Sequence, residues 1–228
     1  MNNAEKVLVG QLAPALAGAG FNWLKRQEMF IRKEPHGFSS FSWASYPTGE
    51  DGGRLELVPL LGVRHDVVED AVNELGLIHG DDNKKFTATI DRGLGFFPFD
   101  ESKDYKQYIR LNFADADIQK AAASISFMLG DEGREFFEKY SSLRECSQGL
   151  NDPIQSKTHP LCNNFPRRVY CGVAAAFFAE NHRVPELVRQ YLEFAKNAQP
   201  NKYEQIAILL DQLISIVQHR SRTDHERR

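Results

Sequence analysis

Phe38-Ser39-Ser40-Phe41-Ser42-Trp43-Ala44-Ser45-Tyr46 sets Phe41 and Trp43 against Ser40 and Ser42. A period of two sends rings to one face and hydroxyls to the other, the pattern of a half-buried strand. Upstream, Phe21 to Leu24 and Met29 to Arg32 are short strand candidates separated by the charged turn Lys25-Arg26-Gln27-Glu28. Downstream, Leu55, Leu57, Leu61 and Val63 carry the alternation onto a fourth strand after a turn at Glu50 to Gly53. Pro59 has no N–H for a ladder bond, so an edge or a bulge is expected there. Connections this short leave no room for crossover helices, and the sheet is expected to be mainly antiparallel and twisted.

Helical spacing frames these strands. Val7, Leu8, Leu12 and Leu16 place a helix over about 4–19, with Pro14 as a possible kink. Asp66, with Glu69 three residues on, reads as a capping box opening a helix to about Leu75. After a polar loop from Asp81 to Lys85, Phe86, Ala88 and Ile90 alternate as a strand. So do Ile109, Leu111 and Phe113, with Tyr108, Arg110 and Asn112 outward. Beyond residue 113 the pattern is helical. Helices are expected from Ile118 to Leu129, Pro166 to Ala179, Pro185 to Ala198 and Lys202 to His219, with a break at Gly130 and Gly133 before Phe136, Phe137 and Tyr140. Strands first and helices afterwards is the α+β order. The expected organisation is a helix and antiparallel sheet over 1–114, a helical layer packed on it over 115–219, and a terminal tail at 220–228.

Composition narrows the function classes. The chain has 228 residues, 42% of them hydrophobic and 26% charged, with a net charge of −3. That balance suits a globular domain and does not favour nucleic acid. The longest apolar run, Val173 to Ala179, is far short of the ~20 residues that span a bilayer, so no membrane partner is expected. Three cysteines, Cys146, Cys162 and Cys171, cannot close a disulfide framework and suit a reducing cytoplasm. Glu5, Gln11 and Pro14 interrupt the early apolar stretch and argue against a secretory leader.

No catalytic constellation stands out. Gly149 to Arg168 lacks periodicity and holds His159, Cys162, Asn163, Asn164, Arg167 and Arg168. A loop of that length is often functional, and it ends at a helix start where Arg167 and Arg168 could receive an anion or an acidic partner. The plainer reading is a helix capped by Asn163 or Asn164, with solvated arginines. Arg64-His65-Asp66 sits at a strand-to-helix junction, where His65 is a candidate base. No Cys-x-x-Cys pair supports a metal, and Gly93-Leu94-Gly95 lacks the rest of a phosphate loop. Phe96, Phe97 and Phe99 read as core, or as cover for a sheet edge. No cofactor and no metal are expected.

One resemblance adds to these readings. A leading helix running into Gly20-Phe21, then Phe30-x-Arg32, the aromatic strand around Phe41 and Trp43, and the strand end Gly62-Val63-Arg64-His65-Asp66 resemble several families of uncharacterised bacterial α+β proteins, some associated with toxin immunity. The resemblance covers about residues 4–75 and implies a small protein-binding scaffold. The functional expectation is therefore a cytoplasmic protein-interaction module, immunity-like in form, that binds an unidentified protein through its sheet surface or through the 149–168 loop. The alternatives are a small-ligand binder or enzyme with a pocket around Arg64, His65 and His159, and a homodimer through the last amphipathic helix.

Overall fold

The computed structural model describes residues 3–48, 54–93, 109–112, 115–154, 159–162 and 164–226. The expected turn at Glu50 to Gly53, the residues Leu94, Gly95, Phe96, Phe97, Phe99, Tyr108 and Phe113, and Asn163 lie outside these. An N-terminal antiparallel sheet and a C-terminal helical region make an α+β arrangement. Among the described residues, no helix is long and apolar enough to cross a membrane. The chain divides into two compact units. Unit 1 comprises residues 1–63 and 91–138, and unit 2 comprises residues 64–90 and 139–228.

Unit 1 begins with α1 (Asn3–Gly18), which runs through Pro14 and buries Leu8, Leu12 and Leu16. Strands β1 (Asn22–Leu24), β2 (Met29–Glu34), β3 (Gly37–Thr48) and β4 (Arg54–His65) follow. The sheet order is β1-β2-β3-β4-β5, where β5 is Ile90–Gly93, and β6 (Ile109–Asn112) also pairs with β4. Register places Trp23 opposite Phe30 and Phe30 opposite Phe41, so the rings expected on one face do share it. Trp23 and Trp43 stack with centroids 5.9 Å apart, and the Trp43 indole N–H reaches the buried Glu5 carboxylate of α1 at 3.4 Å. Phe30 and Phe41 are almost wholly buried, worth about 1.5–3 kcal/mol each in apolar transfer.

Pro59 is buried in β4, which is an interior strand of the sheet rather than the edge expected there. Among the described residues, the β6 ladder pairs Arg54 through Leu57 with Asn112 through Ile109. Helix α4 (Asp115–Met128) was expected to break at Gly130 and Gly133. Instead a π-helical turn, Leu129–Gly133, carries it into α5 (Arg134–Tyr140).

Unit 2 is organised around α7 (Phe165–Glu180), which buries every residue from Arg168 to Ala176. The remaining elements are α2 (Asp66–Asn73), α3 (Asp81–Lys85), α6 (Leu143–Asn151), α8 (Val184–Ala198) and α9 (Tyr203–Glu226). Helix α7 packs against α2, α6, α8 and α9. A helix apolar on all sides belongs in a core, and the alanine-rich run that is too short for a membrane finds its place here. Ile206, Leu210, Leu213 and Val217 of α9 are buried within this unit, so the stripe considered for a homodimer is already covered. Helix α9 also continues beyond His219 to Glu226, through residues expected to form a solvated tail, because Arg220 is tied to Glu74 and to the Asp70 carbonyl.

Gly172 marks the closest approach to α7. A Cβ at this position would stand against Asn151 Oδ1 and 3.0 Å from the Tyr191 hydroxyl. Those two groups share a buried network: Tyr191 donates to Asn151 Oδ1 at 2.8 Å, and Asn151 Nδ2 donates to the Gly172 carbonyl at 3.0 Å. Gly172→Ala is expected to lower stability by about 1–3 kcal/mol through overpacking, read as a lower urea midpoint at unchanged m-value. An unchanged midpoint would show that the network has room to shift.

Candidate functional site

The five residues singled out in the sequence all fall in unit 2, and the structure gives each an internal partner. Two of them, Arg64 and Arg167, converge on Glu69 of α2, which has no solvent exposure. The capping-box reading of Asp66 and Glu69 does not hold. His65 occupies the N-cap position without a side-chain cap bond, and both carboxylates turn to arginines. Arg167 Nη2 donates to Glu69 Oε2 at 2.6 Å and to the Ala88 carbonyl at 3.0 Å. Thr87 Oγ1 donates to the same Oε2 at 2.5 Å, and the Cys171 thiol lies 3.6 Å from Oε1.

Arg64 enters from the end of β4. Its Nε donates to Asp66 Oδ1 at 2.6 Å, its Nη2 to Asp70 Oδ1 at 2.9 Å, and its Nη1 to the Lys84 and Thr87 carbonyls at 2.8 and 3.2 Å. Arg64 Nη1 also lies 3.8 Å from Glu69 Oε2, so the two arginines converge on one carboxylate. This accounts for the failed strand at residues 86–89. The carbonyls of Thr87 and Ala88, which would have built a ladder, are used by guanidinium groups, and only Ile90–Gly93 forms β5. Glu69 lowers the charge penalty of burying Arg167, which would otherwise favour the neutral form. Burial pulls the Arg167 guanidinium down, but the charge of Glu69 and its hydrogen bond outweigh it and hold it firmly charged.

The other candidates sit apart from that carboxylate. Asn164 caps α7 as expected, its Oδ1 accepting the Arg167 N–H at 3.3 Å. Arg168 is wholly buried rather than solvated. Its guanidinium lies 5.5 Å from the centroid of the Phe165 ring, and its Nη2 donates to the Ile154 carbonyl at 3.3 Å. His65 donates its backbone N–H to Thr89 Oγ1 at 2.9 Å, and its Nε2 is 2.8 Å from the Tyr140 carbonyl. A carbonyl can only accept, so the Nε2 bears the proton. His159 Nδ1 accepts the Leu161 N–H at 3.2 Å, which fixes the neutral form with Nδ1 bare. Burial, reinforced by the Arg168 charge, pulls the His159 imidazole down to about 4.

All three cysteines are buried free thiols. Burial pushes Cys146 and Cys171 well up, and the Glu69 charge pushes the same way at both. A protonated thiol is a poor nucleophile and a poor metal ligand. Among the described residues, no group of three His, Cys, Asp or Glu side chains is placed to hold a metal ion.

Two concavities among the described residues are lined by other side chains. In unit 2 an open depression of about 700 Å³ is lined by residues 151–154 and by Arg189, Gln190 and Glu193 of α8, among others, and by none of the five candidates. In unit 1 a smaller, more enclosed pocket of about 270 Å³ lies against α1, the π-helical turn and α5. Nothing in the sequence pattern marked it, because its wall joins residues from five separate elements. No protein-family model matches the chain, and neither the curated proteins nor the solved structures contain a significant match.

The ion-paired cluster leads to two expectations. Glu69→Leu leaves two arginines facing a lost carboxylate and should destabilise by about 3–5 kcal/mol. The double variant Glu69→Leu/Arg167→Met removes a charge of each sign and should be destabilised by clearly less than the sum of the single variants. Additive losses in denaturant titrations would show that the two side chains act independently. For His159, the folded value lies below the unfolded 6.5, so the unfolded state binds the extra proton. Its contribution to stability is full above pH 6.5 and is lost as the pH falls towards 4. His159→Asn keeps an acceptor for Leu161 without a titrating ring, so its Tm should fall less than that of the parent between those pH values. Parallel curves would remove His159 as the titrating group.

Proposed function

We propose that the protein is a protein-interaction module that recognises its partner through unit 1. The observation that carries this reading is Phe127 of α4, a phenyl ring that is 77% exposed. Its helix neighbours Ser126, Leu129 and Gly130 line the unit 1 pocket, so the ring stands beside an apolar recess rather than alone on a polar surface. An exposed aromatic next to a pocket is the common form of a binding anchor. The internal bonding of Arg167 and Arg168 supports this surface over the 149–168 loop. An immunity-like role, occupying a partner rather than transforming it, is the specific form that the resemblance over residues 4–75 suggests.

The pocket itself favours a second reading, a small-ligand-binding protein. It is an apolar recess with a few polar groups, which is the general form of a ligand site. Arg64, His65 and His159, around which a pocket was expected, are not among its lining residues.

Phe127→Asp is expected to leave stability within about 0.5 kcal/mol of the parent, as surface substitutions do. Tagged parent and variant proteins would be used as parallel baits in lysate of the source organism. A partner recovered at near-equal stoichiometry by the parent and lost by the variant supports the module. A partner recovered equally by both rules out recognition at this surface.

A further inference from the structure

The unit 1 pocket differs from the Glu69 cluster in one respect, the state of its arginine. Arg32 of β2 is a wall residue of the pocket, together with Leu16, Phe21, Leu129 and Phe137. Its guanidinium carbon is 4.9 Å from the Phe21 ring centroid and 5.6 Å from that of Phe137. Its Nε donates to Glu34 Oε1 at 2.5 Å. Its stem passes Gly20, which has φ +84° and where a Cβ would come within 3.3 Å of Arg32 Cδ. The two rings, the carboxylate and the missing side chain hold the guanidinium in one place. Its terminal nitrogens, Nη1 and Nη2, donate to no protein group among the described residues. Arg64, by contrast, uses all three of its nitrogens.

We propose that this pocket binds a small carboxylic acid with a single ring or short branched chain as its apolar body, its carboxylate paired end-on with the Nη1 and Nη2 of Arg32. The inference rests on the small-ligand reading. A fixed guanidinium with its two end donors open matches the planar carboxylate in a bidentate pair. The apolar wall and the volume of about 270 Å³ set the body size, since roughly 300–1,000 Å³ suits a drug-sized ligand. Charge sets the anion. Arg134 is also at the wall, but its 3.7 Å pairing with Glu138 is largely exposed, and Glu34 already offsets part of Arg32. With each cation matched by a carboxylate, a monoanion fits better than a phosphate dianion. The π-helical turn supplies Leu129 and Gly130 to the wall, and such turns often occur at functional sites.

The test is an amide ¹H–¹⁵N titration of the full chain with 3-phenylpropanoate and, separately, with 3-phenylpropanamide. The acid is expected to give saturable shifts centred on Ala15, Ala19 and Gly130, and to bind on the order of tenfold more tightly than the amide. Arg32→Gln should reduce the acid to the affinity of the amide while leaving amide binding unchanged. Ala15→Trp, at an exposed position on the pocket wall, should weaken both probes without altering the fold. Equal affinity for acid and amide would overturn the carboxylate assignment while leaving a ligand pocket. No saturable shift at these residues with either probe would overturn both the assignment and the small-ligand reading. Tighter binding of inorganic phosphate than of the acid would overturn the choice of a monoanion.

Discussion

A carboxylate with no solvent exposure is tolerated only when cations and hydrogen-bond donors surround it, and Glu69 meets this condition through Arg167, Thr87 and Arg64. Meeting it constrains much of unit 2. Arg167 must lie one turn into α7, so the start of that helix is placed by its Asn164 cap. Arg64 must leave β4 towards α2, and the carbonyls of Lys84, Thr87 and Ala88 must turn to the guanidinium groups rather than to a neighbouring strand. The same atoms therefore decide where a helix starts, where a strand fails to form and which loop is ordered.

Around this cluster, burial acts in one direction on the enclosed thiols and phenols. It raises Cys146, Cys171, Tyr170 and Tyr191, keeping each neutral, and it lowers His159. Groups that would be reactive if ionised are held neutral inside helix packing, where Tyr191 and Asn151 spend their polar atoms on each other and on the Gly172 carbonyl. Buried polar groups satisfied in this way specify a single packing arrangement.

Unit 1 uses an arginine differently. Arg32 is fixed by two phenyl rings and Glu34 and lines an apolar recess, yet among the described residues its end donors meet no protein acceptor. Phe127 leaves an aromatic ring in water on the helix that forms part of the same wall. Both features leave interaction capacity unused by folding, whereas Arg64 and Arg167 of unit 2 spend donors on carboxylates and backbone carbonyls.

How much could be read from the chain alone follows from the range of the forces involved. Period-two alternation at Phe41 and Trp43, the helical spacing of Ile206, Leu210, Leu213 and Val217, and the cap at Asn164 with Pro166 beside it are local, and these elements form where the pattern put them. The capping box at Asp66 and Glu69 was equally well formed as a pattern, but Glu69 pairs with an arginine 98 positions away. No local spacing carries that information, and the cost of burying an unpaired charge exceeds the gain from a cap. The pocket stayed hidden for the same reason, since Leu16, Arg32, Gly130 and Phe137 meet only after α1, β2, the π-helical turn and α5 have packed. The sequence by itself determined the α+β order, most of the helices and the aromatic face of the sheet, because these depend on neighbours along the chain. Tertiary structure alone decided that Arg64 and Arg167 are consumed in folding while the end donors of Arg32 meet no protein acceptor among the described residues, because that depends on what each guanidinium meets across the fold.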